Sequence, residues 1–99
     1  MKKISIKMVE TSADYPGRIK ELLAKLNIKK YELTEIESDI TGQHAYVLDI
    51  PTGKQFGGHV LSLKIVFLLL KGLSTIGLSD KFSELSGEKR GYLTLLLVN

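Results

Sequence analysis

Cysteine is absent from the 99 residues. That removes a disulfide framework, a thiolate nucleophile and any metal site built on sulfur. Concentrated charge of one sign is missing too. The net charge is +3, but 14 basic residues are scattered among 11 acidic ones and pair only as Lys2-Lys3, Lys29-Lys30 and Lys89-Arg90. A nucleic-acid surface gathers its charge on one face, so nucleic acid is not an expected partner. The basic start, Met1-Lys2-Lys3-Ile4-Ser5-Ile6, runs into an alternating pattern and not into the apolar block of a signal peptide. Segment 59–71 is shorter than the roughly 20 apolar residues that cross a bilayer, and Lys64 interrupts it. No serine stands in a nucleophile-elbow context. The only histidines, His44 and His59, lack metal-ligand spacing even with Asp39 or Asp49 nearby. These absences predict a cytoplasmic protein with no membrane partner, no metal and no cofactor, and they point away from catalysis.

What is present describes one globular domain over residues 1–99, with 43% apolar and 25% charged residues. Ile4, Ile6 and Met8 alternate with Lys3, Ser5 and Lys7, the pattern of a half-buried strand over 3–9. Ile19, Leu22, Leu23 and Leu26 then recur at helical spacing. Asp14 is placed to cap this helix, and Pro16 is tolerated in its first turn. Residues 30–40 read as a second strand with an uneven apolar pattern, Thr41-Gly42-Gln43 as a turn, and His44–Ile50 as a third strand completing a hairpin. Segment 59–71 fits two readings. Leu61, Leu63, Ile65, Phe67 and Leu69 alternate as in a strand, whereas the leucine content and the seven-residue spacing of Lys64 and Lys71 suit a helix. Residues 72–91 read as a connection with a short helix near Asp80–Leu85 closed by Gly87, and Tyr92–Asn99 as an apolar strand in mid-sheet. The order predicts an α+β fold: a ferredoxin-like βαββαβ sandwich, with helices on one face of an antiparallel sheet. The other face stays partly apolar, a reason for copies of the chain to associate.

Two glycine-bearing stretches are candidate sites. In Asp14-Tyr15-Pro16-Gly17 the glycine lets a ligand approach a helix start, whose free amides favour a carboxylate or phosphate; a plain aspartate-capped turn has the same sequence. In the second stretch Gly53, Lys54, Gly57 and Gly58 could cradle an anion. It is not a P-loop, because Gln55 follows Lys54, and a flexible connection is the favoured reading of it. Glu35, Glu37 and Asp39 share a strand face, where carboxylates either do acid–base work or simply face solvent. Arg90-Gly91-Tyr92 resembles the start of the RNA-recognition strand motif, but Leu95 and Leu97 stand where stacking rings belong.

The Asp-x-Pro-Gly turn after a first strand resembles the signature of ACT domains, small regulatory modules of amino-acid metabolism. Ile36-Glu37-Ser38 and Tyr46-Val47-Leu48-Asp49-Ile50 are similar to the second and third strands of the ACT domains of prephenate dehydratases. The resemblance covers residues 3–51. Asp39 departs from it, standing where that pattern has arginine. It implies a ferredoxin-like fold, edge-to-edge pairing of copies, and amino-acid binding near Asp14, Tyr15, Pro16, Gly17 and Glu37. A second likeness is to the trimeric nitrogen-regulatory signal proteins, with 39–58 as their long loop. A helix over 59–71 favours the first likeness and a strand the second. The expected function is regulatory binding of an amino acid or similar carboxylate at a homo-oligomeric interface. The alternatives are a protein-interaction domain and a nitrogen-regulatory-type signalling protein.

Overall fold

The computed structural model describes residues 14–81 and 91–99, and the backbone of 87–89. The strand expected over 3–9, and most of the short helix expected near 80–85, lie outside the described residues. Helix α1 spans Tyr15–Lys25, strand β1 Glu32–Ile36 and strand β2 Ala45–Pro51. A 3-10 turn at Lys54–Phe56 leads to helix α2, Leu63–Thr75. Then follow strands β3 (Ser79–Asp80), β4 (Gly87–Lys89) and β5 (Tyr92–Val98).

The ambiguous segment is helical, but the helix starts at Leu63 and runs on to Thr75. Its ends explain the choice. The Ser62 hydroxyl caps it by accepting from the Ile65 amide at 3.2 Å. At the other end Gly77 takes φ +97° and the Leu78 amide closes onto the Leu73 carbonyl at 2.9 Å. Helix α1 ends the same way, with Asn27 at φ +63° and the Ile28 amide on the Leu23 carbonyl at 2.8 Å. Each ending turns a buried apolar residue, Ile28 or Leu78, back into the core.

Among the described residues the strand pairings are all antiparallel, in the order β1–β2–β5–β3, with β4 also paired to β5. In register, Tyr46, Leu48 and Ile50 of β2 face the same side as Leu97, Leu95 and Leu93 of β5. Ile19 and Leu23 of α1 and Leu69 and Leu73 of α2 pack on that face, and the core sits between. The protein is therefore α+β; its described residues place two helices on one face of an antiparallel sheet. Among the described residues three strands follow α2, where the sequence predicts one strand after a connection. Gly87 lies in β4 and Asp80 in β3; strands of two and three residues are too short to carry a periodic signal. As expected, β5 is internal, although only Leu95 and Leu97 are buried, and Leu96 and Val98 on the far face are half-buried.

The hairpin register also differs from a tight turn. Ile36 pairs with Ala45, so residues 37–44 form the connection and β1 is shorter than 30–40. The exposed carboxylate of Glu32 stands directly opposite Asp49, whose Oδ1 accepts from the Thr94 hydroxyl at 2.5 Å. Like charges facing across a strand pair destabilise it. Glu32→Lys is therefore expected to stabilise the domain by about 0.5 kcal/mol, read as a higher urea midpoint at unchanged slope.

Helix α2 also has an outward apolar stripe. Leu63 is 89% and Phe67 64% exposed, although Leu69 on the same helix is wholly buried.

Candidate functional site at the start of helix α1

Asp14 forms the N-cap of α1. Its Oδ1 accepts from the Gly17 amide at 3.3 Å, and its carbonyl accepts from the Arg18 amide at 3.3 Å. Pro16 offers no amide. A Cβ on Gly17 would stand 2.6 Å from Asp14 Oδ2, so the glycine is what lets the carboxylate fold over the helix end. The partial positive charge of that end stabilises the carboxylate in turn.

The Tyr15 ring joins three elements. It lies 5.4 Å from the His44 ring and 6.2 Å from the Tyr46 ring, centroid to centroid. It also runs beside Gly77 at the end of α2, where an added Cβ would sit 3.7 Å from it. His44 is held just before β2: its amide donates to Asn99 Oδ1 at 2.7 Å, and its carbonyl accepts from the Asn99 amide at 3.2 Å. Tyr46 is 2% exposed and stands opposite Glu35 of β1. Burial pushes its phenol above the ordinary 10.0, and the charge of Glu35, then Tyr15 and Asp14, pushes the same way.

Two exposed carboxylates, Asp14 and Glu35, thus flank a wall made by Tyr15, His44 and Tyr46. The partly exposed rings of Tyr15 and His44, with Tyr46 buried behind them, suit a cationic amine, which gains charge-assisted hydrogen bonds from the carboxylates and attraction to the Tyr15 face. A phenol held protonated is the opposite of a general base. The raised value makes a further prediction. Tyr46 adds full stability below pH 10, and loses it as pH rises from there towards its folded value, because the unfolded chain releases the proton first. Urea melts on either side of pH 10 are expected to show a smaller loss for Tyr46→Phe than for the parent chain.

The other expected site residues lie elsewhere. Glu37 is exposed and lines a shallow cavity of about 200 Å³ with Ile36, Ala45, Leu96 and Val98, on the sheet face away from the helices. Beside it the Ser38 hydroxyl contacts Gln43 Oε1 and accepts from the Ile40 amide at 3.1 Å. In the second glycine stretch the amides are committed: Gly53 donates to the Gly91 carbonyl at 2.9 Å, Gly57 to Lys54 at 3.0 Å and Gly58 to Gly53 at 3.0 Å. Lys54 is exposed at its edge. An anion there would have to displace three backbone hydrogen bonds.

Lys30, which the sequence does not mark, clasps that loop. Its Nζ donates to the Phe56 carbonyl at 2.8 Å and its amide to His59 Nε2 at 2.9 Å. His44 and His59 sit beyond opposite ends of β2. Among the described residues no group of three or more His, Asp or Glu could hold a metal ion, and no helix is long and apolar enough to cross a membrane.

Comparison with models of protein families, with curated proteins and with solved structures finds no match.

Proposed function

We propose that this is a regulatory, non-catalytic domain that binds an amino acid or similar carboxylate-bearing metabolite at an interface between copies of the chain. This is the role implied by the likeness of Asp14-Tyr15-Pro16-Gly17 to the ACT turn, within a ferredoxin-like arrangement. The observation that carries the reading is the convergence of Asp14 and Glu35 on the wall formed by Tyr15, His44 and Tyr46. That wall supports recognition of the ligand's amino group. The Gly17 and Arg18 amides already serve the cap, so the ligand's carboxylate is the end left for a second copy to meet.

A thermal-shift screen of the amino acids tests this. At a hundred-fold excess over Kd a ligand adds about 2.7 kcal/mol, which in a domain of this size raises Tm by roughly 10 °C or more. Asp14→Asn keeps a good cap and removes the charge, so it is expected to abolish the shift with little change in the unliganded melt. No stabilisation by any amino acid would overturn the reading.

A second reading, a protein-interaction domain, is favoured by one observation, the outward stripe of Leu63 and Phe67 on α2. Here Phe67→Glu is expected to reduce the mass in solution from an oligomer to a monomer. A parent chain that is already monomeric would contradict both this reading and the shared interface of the first.

A further inference from the structure

Helices α1 and α2 touch where Gly72 meets Leu22: a Cβ on Gly72 would lie 2.6 Å from Leu22 Cδ1. Beside that contact a groove of about 410 Å³ runs between the helices, within the size range of small-molecule sites. Its floor is apolar, made by Leu22, Gly72 and Ile76. Its rim carries Arg18 and Lys25, with Glu21 between them and the exposed Thr75 opposite. Arg18 and Lys25 are seven residues apart, two turns, and so stand on one side of α1. Among the described residues neither cation has an ion-pair partner, and Glu21 is paired with neither.

We propose that this groove binds a small apolar carboxylate, its hydrocarbon body on Leu22, Gly72 and Ile76 and its anionic group held by Arg18 and Lys25. The charge selects the class. Two cations against one carboxylate favour an anion over an amine, and a guanidinium matches the two oxygens of a carboxylate in geometry. The floor is too apolar to reward a small hydrophilic anion. This site is separate from the one at the start of α1, which takes the amino end of its ligand, and it goes beyond the proposed function.

An amide-resolved NMR titration of the full chain with 3-phenylpropionate tests it, with phenethylamine as the cationic counterpart. The expected result is that 3-phenylpropionate moves the Leu22, Gly72 and Ile76 amides and phenethylamine does not. Arg18→Gln combined with Lys25→Gln is expected to weaken binding at least about ten-fold. Thr75→Phe, which fills the groove from an exposed position, is expected to abolish it with the melt preserved. Equal binding of the amine, binding unchanged in the double variant, or no movement of these amides at millimolar 3-phenylpropionate would each overturn the proposal. Failure at Leu22, Gly72 and Ile76 leaves the site of Tyr15 and His44 untouched, because that site is read by other amides and other variants.

Discussion

Gly58→Ala is expected to destabilise the domain by about 3 kcal/mol, far more than an added methyl costs in open space. A Cβ there would lie 2.6 Å from the Thr52 carbonyl carbon and 2.7 Å from both the carbon and the oxygen of the Pro51 carbonyl. These are backbone atoms, and they are held in place. The Pro51 carbonyl accepts from the His59 amide at 2.7 Å, and the Thr52 and Gly53 amides both donate to Gly91 at 2.6 and 2.9 Å. Movement at residue 58 therefore breaks the bonds that tie the end of β2 to the start of β5. Gly42→Ala is the control. Gly42, unlike Gly58, has a left-handed backbone, φ +84°, but a Cβ there meets nothing within 4 Å, so only the conformational cost of about 1 kcal/mol is expected. A thermal melt separates the two, with Gly58→Ala lowering Tm by roughly 10 °C or more.

The second large effect contrasts two residues of α2 only two positions apart. Leu69 is wholly buried and touches the common core, whereas Phe67 is 64% exposed. Leu69→Ala is expected to cost about 3 kcal/mol through lost burial and the cavity left behind. Phe67→Ala is expected to change stability by less than about 0.5 kcal/mol, because it removes little packing and alanine favours a helix. If this segment were a strand, residues 63, 65, 67 and 69 would share one face, and both truncations would be costly. Chemical denaturation of the two variants decides between the alternatives left open by the alternating leucines.

That contrast shows how far the sequence could be read. Helix α1 is legible because a cap, a first-turn proline and a four-member apolar stripe agree. Helix α2 is harder, since its leucines satisfy periods of 2 and 3.6 together. The deciding signals lie at its ends, in Ser62 and Gly77, and not in its middle. Strands β3 and β4 are too short to show any pattern.

At the site, Asp14 and Gly17 are legible as a local capping unit. The joining of Tyr15 with His44, Tyr46 and Glu35 is not, because it depends on register. A tight turn at 41–43 would place Tyr46 opposite Ser38, whereas the long connection over 37–44 places it opposite Glu35. Three residues of slip decide whether a carboxylate or a hydroxyl meets the buried phenol. Such a slip also reverses the faces of β1: Leu33 and Glu35 turn towards the helices, whereas Glu37, in the connection beyond β1, lines the cavity beside Ile36 on the far side of the sheet.

Asp14 and Glu35, with the aromatic wall between them, are proposed to hold the amino group of a small ligand. An amide-resolved NMR titration of the full chain with amino acids tests it most directly. The predicted result is saturable movement of the Tyr15, Gly17, His44 and Tyr46 amides by at least one amino acid, lost when Asp14→Asn and Glu35→Gln are combined. Amides at these four positions that stay still with every amino acid, or that move as before in the double variant, would contradict the account.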